Sequence, residues 1–184
     1  KVPYTACTDF GIPVWCMVLI SVNGSLCTAS VGNKYEVIFS KDDAFFYAVA
    51  HPDIVVGTKE AREVLPREIP MAHAVTQWGN VGGLVAGLAL GDVALIGRSM
   101  HDVVAEPYRK GFIPGYDRLK EEVLSEGALA MNIAGSGPSV FALASNYEAA
   151  VRISGEMKRH FEGLGIGCNS YAGRVSNAGA RVVE

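Results

Sequence analysis

Apolar and polar positions divide the chain into two unlike stretches that meet near Lys41-Asp42-Asp43. Ahead of that point, three β-rich runs, Val14 to Val22, Ser25 to Val31 and Tyr35 to Ser40, are separated by Asn23-Gly24 and Gly32-Asn33. Asn-Gly between β-rich runs predicts a two-residue hairpin, because both central residues of a type I′ turn need positive φ. Gly32-Asn33 is a second, weaker turn signal. The expectation is a three-stranded meander over residues 1–43, and it holds no nucleophile, base and acid to which chemistry could be assigned.

From Ala44 onward, strand and helix patterns alternate. Phe45 to Ala50 reads as a short apolar strand stopping at His51-Pro52, since the residue before proline is pushed away from α. Thr58 is expected to cap a helix through Leu65, with Glu60 in its first turn and Pro66 ending it. Ala72 to Leu90 is a longer helical segment, interrupted by Gly79, Gly82, Gly83 and Gly87, whose loss of helix stability calls for close packing against a neighbour. Asp92 to Asp102 is a further helix, and Asp117 is expected to cap another that ends at Gly127. Two apolar runs, Ala128 to Ala134 and Val140 to Ala144, flank a glycine-rich loop. Asn146 then caps a helix in which Ala150, Ile153, Met157 and Phe161 recur at helical spacing. A last strand or pair falls in Gly167 to Val183, with turn chemistry at Ser176-Asn177-Ala178-Gly179. The pattern predicts an α+β domain with helices on one face of a mostly antiparallel sheet.

Composition narrows the classes. A chain of 184 residues with 16 basic and 19 acidic side chains, formal net charge -3, offers no basic face for nucleic acid. No apolar run reaches membrane-spanning length; the longest, Ile12 to Val22, is too short and lacks the cationic leader of a signal peptide. The four cysteines (Cys7, Cys16, Cys27, Cys168) form no C-x-x-C pair and have no histidine at metal spacing, so no metal site is expected and reduced thiols in a cytoplasmic protein are. The chain opens on Lys1 and not Met, as expected of a piece of a longer protein.

Ala134-Gly135-Ser136-Gly137-Pro138-Ser139 carries the densest chemistry. Glycines on both sides of a serine allow positive φ and turn backbone N–H groups toward a ligand. By itself such a loop reads first as a hairpin turn and second as an anion cradle. Thr58 and Arg62, four apart, share one helix face; they read first as a cap with a solvated arginine and second as a grip for a carboxylate. Arg109, between Glu106-Pro107-Tyr108 and a Pro/Gly loop, reads as a helix-end donor or a ligand clamp. His51, His73, His101 and His160 have no mutual metal spacing and read as isolated surface or cap histidines. Neither a G-x-x-x-x-G-K-[ST] loop nor a G-x-S-x-G elbow is present.

Several segments, in order, give the chain a specific resemblance. Asn132-Ile133-Ala134-Gly135-Ser136-Gly137-Pro138-Ser139-Val140-Phe141-Ala142-Leu143 resembles the third motif of the GHMP small-molecule kinases, most closely their homoserine kinase branch. His51-Pro52-Asp53-Ile54 with Thr58 to Pro66, Asp102 to Arg109 with Ile113-Pro114-Gly115, and Ala178 to Val182 resemble further segments of that branch. The match runs from about Ala44 to Glu184. It implies a ferredoxin-like two-layer sandwich over residues 44–184, and transfer of the ATP γ-phosphoryl to the L-homoserine hydroxyl on the route to threonine. It further implies that Thr58 and Arg62 bind the amino acid, Arg62 toward its carboxylate, that Arg109 is the pocket's second arginine, and that Gly135, Ser136 and Gly137 line the active site and brace the phosphate-binding loop. Such a site works by positioning and charge. A homodimer fits the resemblance, and no catalytic base is assigned.

Departures set the scope of these expectations. The family's Pro-x-x-x-Gly-Leu-Gly-Ser-Ser-Ala run, which wraps ATP, is absent from the 184 residues, and so is the segment bearing the carboxylate associated with Mg2+. Residues 1–43 do not match the family. The chain therefore reads as the C-terminal domain of such a kinase without its nucleotide half, expected neither to bind ATP tightly nor to turn over alone. Two alternatives stand beside it: a mevalonate, shikimate or sugar kinase of the same family, and a non-catalytic binding or dimerisation module using an exposed sheet edge.

Overall fold

The structure, a computed structural model, describes residues 45–174 in full and the backbone of 28–31 and 34–37. In the N-terminal stretch, β1 (Thr28–Val31) and β2 (Lys34–Val37) pair antiparallel, Val31 opposite Lys34, as the second hairpin signal predicts. Residues 32–33 themselves, the Asn23-Gly24 turn and the strand expected before it lie outside the described residues. So do the turn at 176–179 and the final segment resembling the family at 178–182.

The domain is built on a four-stranded antiparallel sheet of β3 (Phe46–Pro52), β4 (Ala130–Ile133), β5 (Val140–Ala144) and β6 (Cys168–Arg174) in the order β4-β5-β3-β6. Between them run α1 (Glu60–Glu63), α2 (Met71–Leu90), α3 (Val93–Ser99), α4 (Glu106–Arg109), a 3-10 turn over Lys110–Phe112, α5 (Tyr116–Ser125) and α6 (Tyr147–Gly163). Helices between the first and second of these strands and between the third and fourth, with the first strand central, give the ferredoxin-like split β-α-β arrangement.

Strand alternation explains the layers. Ala48, Ala50, Met131, Val140, Ala142 and Ala144 point to one face, where they meet α5 and α6. Small alanines let α6 settle close, and Ile153, Met157 and Phe161 fill the space with no exposed surface. Val49, Ala130, Phe141 and Leu143 point to the other face, which is covered by Leu84 and Leu88 of α2 and Ile96 of α3. The expected layer of helices on one face is present, and the opposite face carries α2 and α3 as well.

Element ends differ from the sequence pattern in four places, each for a local reason. β3 continues through His51 and Pro52, paired with Asn169 and Cys168. The Asp53 N–H bonds the Gly167 carbonyl on the β6 side, so Pro52 aims its missing donor at the β5 side, where pairing has ended at Ala50–Val140. Thr58 does not cap α1: no side chain caps that helix, which is a single turn entered from the Gly57 carbonyl. α3 stops at Ser99, before Asp102, whose carboxylate instead accepts from the N–H groups of Val104, Ala105 and Glu106 at the start of α4. Asp117 lies inside the first turn of α5 and pairs with Lys110, while Gly115 in the left-handed region takes the capping position. Asp92 and Asn146 do cap α3 and α6, accepting from Leu95 and Ala149 at 2.9 and 2.8 Å.

Candidate active site

The glycine loop closes the turn between β4 and β5. Gly135 and Gly137 take φ of 61° and 84°, conformations that disfavour any residue with a Cβ. Two backbone bonds shape the loop: Ala134 N–H to the Ser139 carbonyl at 2.8 Å and Gly137 N–H to the Ala134 carbonyl at 3.1 Å. The Gly137-Pro138 bond is cis. Ser136 stands between the two left-handed glycines, as the sequence pattern requires.

Arg109 links this loop to α1. Its side chain leaves the end of α4, is only 8% exposed, and donates from Nε to the Ala61 carbonyl at 3.2 Å and from Nη1 to the Gly135 carbonyl at 3.0 Å. A guanidinium carries five N–H groups, and these two bonds leave three for a ligand. The planar fork explains why arginine suits the position: it reaches two carbonyls from elements far apart in sequence. Arg62, the residue after Ala61, is exposed on α1, and Thr58 is exposed in the turn leading into it.

Beneath the loop lies a cavity of about 90 Å3 bounded by α2, the segment from Ser99 to Arg109, and the β4–β5 hairpin. Its polar lining includes Gln77, Asn80, Asp102, Glu106, Arg109 and Asn132, with Ser99 and His101 beside them. Most of these side chains support backbone around the rim. Gln77 Oε1 accepts from Val103 N–H, and Asn80 Nδ2 donates to the His101 carbonyl. Asn132 Oδ1 is buried without a protein donor.

A charged cluster backs this wall. Lys120 Nζ and Glu106 Oε1 lie 2.6 Å apart with side chains 19% and 11% exposed, and the ammonium sits 5.8 Å from the centre of the Tyr116 ring. Burial pushes the Tyr116 phenol well above its ordinary range, and the Glu106 carboxylate adds to the shift. The cluster holds α4 against α5 and fixes the direction from which Arg109 departs.

The structure thus joins Arg109 to the glycine loop through Gly135 and to α1 through Ala61. Thr58 and Arg62 do not line the cavity. Gln77 and Asn80 are not singled out by the sequence pattern, although two amides three apart on a largely apolar helix are a readable signal. His51, which reads as an isolated surface or cap histidine, is exposed but not isolated, because it bonds Ser139. Among the described residues no three His, Cys, Asp or Glu side chains come together to hold a metal ion, and no helix is long and apolar enough to cross a membrane. Cys168 is free and buried, and burial pushes its thiol up.

Residues 84–163 match the family model described as GHMP kinases C terminal. A homoserine kinase from Chlorobaculum tepidum is 42% identical over 141 residues, covering 76% of this chain and 44% of that protein. One from Chlorobium phaeovibrioides is 46% identical over 125 residues, covering 68% and 39%. Among solved structures, the homoserine kinase from Cytophaga hutchinsonii superposes with a TM-score of 0.78 at 41% identity, over 85% of this chain and 50% of that one. A phosphomevalonate kinase from Streptococcus pneumoniae shares the fold with a TM-score of 0.57 at 17% identity. The chain spans less than half the length of these two curated relatives.

Proposed function

We propose that this chain, which carries a GHMP kinase C-terminal domain, is the amino-acid-holding part of a homoserine kinase. The reaction is transfer of the γ-phosphoryl group of ATP to the side-chain hydroxyl of L-homoserine, giving O-phospho-L-homoserine for threonine synthesis in the cytoplasm. The observation that carries this reading is Arg109: one buried guanidinium bonded to both α1 and the glycine loop, with N–H groups in reserve. Identity of 42–46% to homoserine kinases over most of the chain supports it.

In this account Arg62 and the remaining N–H groups of Arg109 grip the substrate carboxylate, and Thr58 steadies the same group from the turn ahead of α1. Charge-assisted and bidentate contacts of this kind fix direction as well as position. Holding the amino acid at its carboxylate end directs the side-chain hydroxyl away from α1, toward the incoming phosphoryl group. Gly135, Ser136 and Gly137 support the phosphate side through backbone, since the positive φ of the two glycines keeps the loop open. The nucleotide supplies the phosphoryl group and Mg2+ offsets its charge. The described residues bring together no metal-holding cluster, and the chain contains no ATP-wrapping run. Both groups are therefore assigned to the part of the enzyme that its relatives possess and this chain does not span. A homodimer is part of the proposal.

Steady-state kinetics on the full-length enzyme that contains this chain test the pocket. Arg62→Ala should raise KM for L-homoserine about tenfold or more, the weight of a charged hydrogen bond, with KM for ATP unchanged. An unchanged homoserine KM would remove Arg62 from the site.

A further inference from the structure

The β3–β5 ladder ends at Ala50–Val140. One position further on in the same register stand His51 and Ser139, and their side chains meet: Nδ1 and Oγ are 2.7 Å apart. Strand alternation puts both on the face of Val49 and Phe141, the side of the sheet that carries the cavity and Arg109. The sheet is thus extended by a side-chain bond at the point where backbone pairing stops. Ser139 is the last residue of the glycine loop, and its carbonyl accepts from Ala134 N–H to close that loop. Arg109 holds the loop at its entry, Gly135, and His51 holds it at its exit.

We infer that His51 is a positioning residue for the glycine loop, acting through the Ser139 hydroxyl and together with Arg109 fixing both ends of the segment that faces the phosphoryl group. This inference rests on the kinase reading above for its catalytic consequence, though not for its structural one. A six-residue turn containing two left-handed glycines has many backbone conformations open to it, and each anchor removes part of that freedom. A hydroxyl partner suits the task. It donates to an unprotonated ring nitrogen and accepts from a protonated one, so the anchor survives a change of histidine tautomer or charge. Asparagine can place an amide atom where Nδ1 lies, so it is the conservative replacement.

Two measurements separate this inference from the kinase reading. Hydrogen exchange on the 184-residue chain itself should show faster exchange at the Ala134 and Gly137 amides in His51→Ala and in Ser139→Ala, with helix α6 unaffected. In the full-length enzyme, each of these variants should lower kcat about fivefold, the effect of one hydrogen bond, with little change in homoserine KM. The double variant should be no worse than either single one, because both remove the same bond, and His51→Asn should recover most of the loss. Unchanged exchange at Ala134 and Gly137 overturns the inference whatever the enzyme does. Altered exchange with unchanged kcat, or additive losses in the double variant, overturns the positioning role. Absence of homoserine phosphorylation by the unmodified protein overturns the kinase reading and leaves the exchange result to decide the anchor.

Discussion

Arg109 reaches Gly135 across 26 residues of sequence with a 3.0 Å hydrogen bond from Nη1 to the carbonyl, made by a side chain that is almost wholly buried. This contact ties the glycine loop, at its exposed Gly135, to a buried side chain, so the loop is not a free hairpin tip. The same guanidinium holds the Ala61 carbonyl, so a change at Arg109 is felt on two elements together.

Replacing Arg109 by methionine keeps the aliphatic packing and removes both donors. Ala61 is buried and its carbonyl then loses the Arg109 bond, whereas Gly135 is exposed and water can serve its carbonyl. Urea unfolding of the chain should show a loss of about 2 kcal/mol. Arg109→Lys should recover less than half, since an ammonium cannot present the fork that spans the two carbonyls.

The Lys120–Glu106 pair is the most enclosed ion pair among those described with a lysine or arginine. Lys120→Met leaves the Glu106 carboxylate buried without its cation and should cost about 3 kcal/mol by the same measurement. Lys120→Met combined with Glu106→Gln should lose less than the sum of the single changes, because the penalty lies in the orphaned charge.

Glu122 ties α5 to α6 through His160, with Nδ1 and Oε2 at 2.7 Å, and also pairs with Arg118. Burial works against the carboxylate, but hydrogen bonds from Arg118 and His160 outweigh it and hold this carboxyl below its usual range. The folded-state pKa is therefore the lower of the two. Its stabilisation is fully present above the ordinary glutamate value of about 4.3 and is lost as pH falls through the folded value. Urea midpoints measured between pH 3 and 6 should fall less steeply on the acid side for Glu122→Gln than for the unchanged chain.

The glycines of α2 should behave in opposite ways. A Cβ at Gly79 or Gly82 meets nothing within 4 Å, so alanine there should stabilise by about 0.5–1 kcal/mol. At Gly87 the same Cβ would lie 2.8 Å from Ile96 Cγ1 and 3.0 Å from the Ile96 backbone nitrogen, and at Gly83 it would collide with Ser99. Alanine at these two should destabilise, and thermal unfolding of the four variants separates the pairs.

These glycines also show how far the sequence could be read. Helix propensity anticipates that α2 needs a close neighbour, which is true of Gly83 and Gly87 against α3. Which glycines face that neighbour depends on the rotation of the helix, and its mixed apolar surface leaves that undetermined. Asn146 was legible as a cap because its partner lies three residues away, whereas Asp92, read only as the first residue of a helix, caps α3 in the same way. Thr58 and Asp117 read as caps and are not, for reasons that are also local: α1 is entered from the Gly57 carbonyl just ahead of Thr58, and Lys110, seven residues before Asp117, draws that carboxylate into an ion pair. In the candidate site, the glycines of the loop announced their positive φ through residue type. Arg109 could be named from its motif, but its bonds to Ala61 and Gly135 depend on a fold that brings residues 26 and 48 positions away to one side chain. His51 was missed for the same reason, since its partner is 88 residues distant.

The central claim concerns phosphoryl transfer to one amino acid. Phosphorus NMR of the full-length enzyme with ATP, Mg2+ and L-homoserine tests it most directly, with mevalonate and shikimate as competing acceptors. The account predicts a new phosphomonoester signal from L-homoserine, absent with the other two and absent when the 184-residue chain is used alone. ATP-dependent transfer to mevalonate or shikimate in preference to L-homoserine, or robust turnover by the 184-residue chain by itself, would contradict it.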